Sequence, residues 1–265
     1  MSLETIKLMS ILNEISPEAL SEGWDHSGIQ ISLGSKAISK ILVSLDMTVD
    51  VVDEAMNCQV DLIVTHHPLI FREIDRIDSN NFTESLIIKL IQANINVYAM
   101  HTSFDKVKDG NNDRLAKILN LRDVSMLEPG KGENELGLGR VGHFMDIKTL
   151  DEAVSLVKES LDIHTPISCV GNPNALISRV AICTGSGGSM IAQSIKMGCH
   201  VLITGDVNYH DALLANEMGL SVIDAGHYHT EKIFVKNVAD QLKTRLQNKV
   251  EIIEYQVDQN PFRMI

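Results

Sequence analysis

The run Asp61-Leu-Ile-Val-Thr-His66-His67-Pro68 ends an apolar stretch in two adjacent imidazoles. The apolar residues read as a buried strand, and in open α/β sheets ligands collect at the carboxyl ends of strands. Consecutive side chains on an extended segment point in opposite directions, so His66 and His67 suit two neighbouring ions better than one. A second segment, Val97-Tyr-Ala-Met-His101-Thr-Ser-Phe-Asp105, again runs from a strand into an imidazole, with a carboxylate four residues on. Val222-Ile-Asp-Ala-Gly226-His227-Tyr-His229-Thr-Glu231 repeats that pattern.

Each segment taken singly has a plainer reading. The histidines are then polar loop residues, Asp105 caps the segment Asp109-Gly-Asn-Asn-Asp113, and Glu231 places negative charge at the start of a helix. Three such segments, each at a predicted strand end, favour one shared metal site built from His66, His67, Asp105, His227 and Glu231. Imidazole with carboxylate suits Zn²⁺, Fe²⁺, Mn²⁺, Co²⁺ or Ni²⁺. No cysteine lies among these residues, so the set does not fit a closed thiolate zinc site. Ions with few protein ligands keep water, which favours catalysis over a purely structural role.

Two further motifs lie nearby in sequence. Thr184-Gly-Ser-Gly-Gly-Ser189 follows a strand and precedes a helix, a geometry that either cradles phosphate on backbone N–H groups or makes a tight turn. It lacks the Lys-Ser/Thr of a P-loop. Gly205-Asp206-Val-Asn-Tyr209-His210 offers Asp206 and His210 as lesser candidates.

The elements that must position these residues alternate. Ile41–Leu45, Leu62–Thr65 and Ile95–Ala99 read as strands, and Thr48–Cys58 and Thr83–Ala93 as helices. That order indicates βαβ units and a mostly parallel sheet. A second series follows: Arg140–Met145, a helix opened by the capping-box signature Thr149-Leu-Asp-Glu152, Arg179–Cys183, Val201–Ile203 and Ser221–Asp224. A helix over about Thr230–Leu246 and a strand at Val250–Tyr255 close the chain. Residues 1–125 are expected to form one α/β lobe and 126–265 a second, with the C-terminal helix and strand packing back on the first. Arg122–Gly139, holding Pro129, Gly130, Gly132, Gly137 and Gly139, reads as a linker or mobile loop. An offset of 139 residues lays Ile38-Ser-Lys40 and its strand on Ile177-Ser-Arg179 and its strand, and Val60–Thr65 on Cys199–Thr204. This points to an internal duplication.

The 265 residues are 44% apolar and carry a net charge of −12. That charge disfavours a nonspecific nucleic-acid binder, which needs basic surface to displace counterions. No apolar run is long enough for a bilayer, and Met1–Ile15 lacks the pattern of a signal peptide. A cytoplasmic protein is expected. Cys58, Cys169, Cys183 and Cys199 show no paired spacing and read as reduced structural residues.

Taken together, Gly23-Trp-Asp25, Gly28-Ile-Gln30, His66-His67-Pro68, His101 with Asp105, Cys183-Thr-Gly-Ser-Gly187, Thr204-Gly-Asp206 and Gly226-His-Tyr-His-Thr-Glu231 resemble the Nif-three-like family. Its bacterial members carry the name GTP cyclohydrolase 1 type 2 homologue, and the resemblance covers essentially the whole chain. One departure is His26, where relatives often have Asn. The short link between the halves resembles the compact bacterial form. The resemblance implies two interlinked, pseudo-repeated α/β lobes with mostly parallel sheets. It implies two divalent ions per chain, one on His67, Asp105 and Glu231 and the other on His66, His227 and Glu231, with Glu231 bridging. It also implies a toroidal homohexamer of two stacked trimers. The activity implied is hydrolysis of a nucleotide-like substrate, GTP cyclohydrolase by name. Opening guanine's imidazole ring would need water added at C8 and hydrolysis of the formamide. His101 is a candidate proton shuttle. Arg72, Lys106, Lys108 and Lys232 either meet phosphates or are solvated. The competing readings are a metal-binding regulatory or interaction protein without turnover, a phosphoesterase, and a metal-handling protein.

Overall fold

Lys40–Ser44, Leu62–Thr65 and Asn96–Ala99 bury nearly every residue. A strand covered on both faces loses its in–out alternation and reads as a continuous apolar run. The computed structural model describes residues 3–34, 37–130 and 136–263. Two compact units share the chain: Met1–Phe104 with Phe234–Gln259, and Asp105–Ile233 with Asn260–Ile265.

In the first unit the main sheet runs Glu251–Glu254, Lys40–Ser44, Leu62–Thr65, Asn96–Ala99, Gly28–Ile31. The first four strands are parallel and the last is antiparallel. Ser44 pairs with Thr65 and Thr65 with Ala99. The chain therefore leaves three neighbouring strands at one edge, carrying Asp46, His66, His67 and His101 there. Helices Val49–Asn57 and Phe82–Gln92 return the chain. Thr48 and Asn81 open them by accepting backbone N–H groups of Val51 and Glu84 at 3.3 Å each, which satisfies donors a helix start leaves over. Their Val51, Val52, Ala55, Leu86 and Leu90 pack with Leu42, Ile63 and Val97 of the sheet.

The second unit's sheet runs Arg122–Pro129, Gly137–Thr149, Leu176–Ser186, Val201–Gly205, Ser221–Asp224, Ser168–Val170. Only the ladders joining Leu176–Ser186, Val201–Gly205 and Ser221–Asp224 are parallel. The α/β class holds, and each parallel core carries antiparallel strands that make its sheet mixed. The capping box at Thr149 closes in both directions. Thr149 N–H donates to Glu152 Oε2 at 2.7 Å, and Glu152 N–H to Thr149 Oγ1 at 3.2 Å.

The expected linker over Arg122–Gly139 is instead two strands of one antiparallel ladder, apart from residues 131–135, which lie outside the described residues. Its described glycines, Gly130, Gly137 and Gly139, serve close approach. A Cβ on Gly137 would stand 2.2 Å from the Glu128 carbonyl oxygen, and one on Gly139, where φ is +66°, 2.7 Å from that of Ile182.

The internal repeat extends to hydrogen bonds. Ile41 pairs with Leu62, and Val180, 139 residues after Ile41, pairs with Val201. Asp61 Oδ2 accepts from the backbone N–H of Ser39 and Lys40 at 2.7 and 3.1 Å. At the equivalent place His200 Nδ1 accepts from Ser178 and Arg179 at 3.1 and 3.0 Å. Different side chains thus fill the same backbone role in the two units. Among the described residues no helix is long and apolar enough to cross a membrane.

Candidate metal centre

Three histidines gather at the strand edge of the first unit. His66, fully buried, has Nδ1 2.7 Å from the Met100 carbonyl oxygen. A carbonyl only accepts, so Nδ1 carries a proton, and in the neutral ring Nε2 is then the nitrogen with the lone pair. His67 Nδ1 lies 2.7 Å from Asp46 Oδ1, and His101 Nδ1 2.7 Å from Asp25 Oδ1. One ring nitrogen from each of the three comes within 4.8 Å of the others. Metal-binding imidazoles commonly anchor one nitrogen in this way and offer the other.

The two adjacent histidines do not diverge as extended-chain geometry predicts. Both backbone N–H groups donate to the Leu45 carbonyl at 3.1 Å. This bends the chain just past the strand and brings the rings to 5.0 Å between centroids. His66 also packs on Phe234, centroids 5.0 Å apart.

Asp25, whose side chain has no exposure, is held hardest. Burial pushes its carboxyl pKa up. Hydrogen bonds from His101, Thr102 and Ser27 and the charge of His101 outweigh this and hold it well below the usual carboxylate range.

In the second unit a short helix, His227–Glu231, follows strand Ser221–Asp224. The four-residue spacing puts both ends on one helix face, and His227 Nε2 lies 2.9 Å from Glu231 Oε2. His227 Nδ1 is 2.7 Å from Asp206 Oδ2. Asp206 itself is left-handed at φ 53°, a conformation Asp tolerates better than most residues. The lesser candidate Asp206 is therefore an orienting partner of His227, and His210 is exposed on helix Tyr209–Glu217.

Asp105 and Glu231 are 6% and 3% exposed, and an oxygen of one lies within 4.8 Å of an oxygen of the other. Two buried carboxylates this close favour a proton or a cation beside them. Their charges, after burial itself, push the pKa of the Cys183 thiol well up, so it stays a neutral core residue. Asp105 is no cap for the next helix. Asn111–Ile118 starts from Gly110, and the Asp105 carboxylate reaches Thr184 Oγ1 at 3.5 Å. Nor is Glu231 a surface charge at a helix start, since it is buried at the end of its own short helix.

The glycine-rich segment serves the same carboxylates. A Cβ at Gly185, where φ is +71°, would meet Glu231 Oε1 at 2.1 Å and His227 Nε2 at 3.4 Å. One at Gly188 would meet Asp211 Oδ2 at 2.3 Å. Acidic groups at both positions make a poor phosphate cradle, and the glycines act as clearance for side chains. Of the basic residues flanking the motifs, Arg72 and Lys108 are exposed and Lys106 and Lys232 half-buried.

Sequence reasoning assigned no role to Asp25 or Asp46. The available signal was register: Asp46 and His67 each lie two residues beyond the paired Ser44 and Thr65.

A family model described as Duf34/NIF3 (NGG1p interacting factor 3) matches residues 3–261. The chain belongs to this family. Among Duf34/NIF3 relatives, a GTP cyclohydrolase 1 type 2 homolog of Clostridium perfringens is 36% identical over 258 residues, covering 97% of this chain and 98% of its own. A GTP cyclohydrolase 1 type 2 of Helicobacter pylori is 36% identical over 237 residues, covering 89% and 90%. A solved Bacillus cereus protein related to NIF3 superposes with a TM-score of 0.94 over 100% of this chain and 99% of its own, at 24% identity. That likeness carries the fold. Within each unit of this Duf34/NIF3 chain, the anchored imidazoles and clustered carboxylates fit the chemistry of divalent-metal ligands.

Proposed function

We propose that the chain is a cytoplasmic, dinuclear metal-dependent hydrolase acting on a nucleotide-like substrate. The observation that supports this best is the anchoring of His66, His67 and His227. Each has Nδ1 on an oxygen acceptor at 2.7 Å, which gives the anchoring role to Nδ1 and the ligand role to Nε2, the atom that in His227 lies 2.9 Å from Glu231 Oε2. In this reading His67, Asp105 and Glu231 hold one ion, and His66, His227 and Glu231 the other. Zn²⁺, Fe²⁺, Mn²⁺, Co²⁺ and Ni²⁺ all suit these donors. Divalent ions supply Lewis acidity and make water a nucleophile near neutral pH. His101, anchored on Asp25, would take and return a proton at Nε2. The substrate class follows the name of the Helicobacter pylori relative.

The test is a turnover screen of metal-loaded protein with GTP, other nucleotides and generic phosphodiesters, with Glu231→Gln as control. Turnover that is lost on chelation and in the variant supports the reading; turnover that survives both rejects it. A metal-binding interaction protein without turnover is the second reading, favoured by the family's description as an interacting factor. Full metal content with no turnover across the screen selects it. We also propose a ring-shaped homohexamer. Light scattering should give six times the 29.3 kDa chain mass, and a stable monomer would reject it.

A further inference from the structure

Trp24 is the single tryptophan of the chain, and it is 59% exposed. The residue after it is the opposite. Asp25 accepts from the backbone N–H of His26 and Thr102, the hydroxyls of Ser27 and Thr102, and His101 Nδ1. The backbone that carries Trp24 is therefore pinned while its indole stays in water. Phe71, four residues beyond His67, is 46% exposed.

These two rings and the His101 imidazole form a three-walled corner. Ring centroids are 6.1 Å apart for Trp24–Phe71, 6.1 Å for Trp24–His101 and 6.2 Å for Phe71–His101. The planes are inclined at 64°, 75° and 82°, so the rings meet edge to face and none is stacked flat on another. His101 also belongs to the imidazole cluster, with its centroid 5.3 Å from that of His66 and 5.5 Å from that of His67. Two large aromatics held in water beside candidate metal ligands leave apolar area unburied that a ligand would cover.

We propose that Trp24, Phe71 and His101 bind the planar heteroaromatic ring of the substrate, a purine base. This rests on the nucleotide-like substrate proposed above. An aromatic face stacks on any base. The third wall favours a base over a quaternary ammonium ion, because His101, tied to Asp25 through Nδ1, keeps Nε2 as a hydrogen-bonding edge. Ring nitrogens and exocyclic groups of a purine can use that edge, and a quaternary ammonium ion cannot.

The lone tryptophan makes the test direct. Indole fluorescence of the full chain is titrated with GTP, guanosine, ribose 5-phosphate and tetramethylammonium. GTP and guanosine should change the emission saturably, and the other two should not. Phe71→Leu should weaken guanosine binding roughly tenfold, within the usual range of one base–aromatic stack, while Phe71→Tyr keeps it. Trp24→Leu, followed by equilibrium dialysis of labelled guanosine, should lose affinity to a similar degree with the circular dichroism unchanged. The proposal is overturned if guanosine and GTP leave Trp24 unaffected at millimolar concentration, or if ribose 5-phosphate or tetramethylammonium matches their effect. It is also overturned if emission follows protein dilution instead of ligand, which would mean a second copy covers the corner. Metal content is measured on the same samples. Two ions without guanosine binding remove the aromatic corner alone; guanosine binding without ions removes the dinuclear reading alone.

Discussion

His227 and Glu231 meet at 2.9 Å, Nε2 to Oε2, while the other ring nitrogen of His227 lies 2.7 Å from Asp206. An imidazole with a carboxyl oxygen at each nitrogen must carry two protons, share a cation with one partner, or face a carboxyl that is itself protonated. The second case is what a metal ligand needs, and it makes Glu231 the residue whose charge matters most.

Glu231→Gln keeps the size and removes the charge. It also relieves repulsion with the buried Asp105 carboxylate, so the metal-free protein should stay folded. The effect should appear on loading. A ligand at a hundredfold excess over its Kd stabilises by about 2.7 kcal/mol, and the variant should lose most of that gain. Differential scanning calorimetry with and without metal, alongside metal analysis, checks this. Wild-type stoichiometry and an undiminished thermal shift would refute the role.

Gly185→Ala tests the same carboxylate from the opposite side. The new Cβ would stand 2.1 Å from Glu231 Oε1 at a backbone φ of +71°. A non-glycine residue at positive φ costs on the order of 1 kcal/mol or more, and Glu231 must also move. We expect a lower melting temperature together with weaker metal binding. Gly198→Ala serves as control, because its φ is +67° and its Cβ meets nothing within 4 Å. It should lose stability without losing metal.

Replacing His66 and His67 together with Ala should strip both ions. His67→Ala singly should remove mainly one. Imidazole must be neutral to bind, so wild-type protein should release its ions as pH falls through about 6. Metal analysis after dialysis at a series of pH values reads both effects, and a double variant that keeps two ions per chain would end the assignment.

Asp25→Asn should lower stability in a pH-dependent way. Hydrogen bonds from His101, Thr102 and Ser27 overcome the opposing effect of burial and hold the Asp25 pKa below its ordinary value. A depressed folded-state pKa means the unfolded chain takes up the proton first. The stabilisation is therefore present above the unfolded value of about 3.9 and fades as pH falls toward the folded value. Urea midpoints should show the variant weaker than wild type near neutrality, with the gap closing below about pH 4. A gap that stays constant down to acid would contradict the carboxylate's role.

Local pattern made much of this protein legible. The strand readings at Leu62–Thr65 and Ile95–Ala99, the capping box at Thr149, and the His-to-carboxylate spacing that ends at Glu231 depend on neighbours within a few residues, and helix and strand periodicity exposes such neighbours directly. The offset of 139 residues was readable for a related reason, since equivalent strands pair in both units, Ile41 with Leu62 and Val180 with Val201. What tertiary structure decided were relations between residues distant in sequence. Asp25 lies 76 residues before the His101 that it orients, and Asp46 lies 21 before His67. Gly185 is needed only because Glu231 folds against it. Gly137 and Gly139 suggested flexibility until strand pairing showed them to be clearance. Each of these depends on register and on how closely two backbones approach, quantities set when strands pair and side chains pack, and sequence spacing does not encode them.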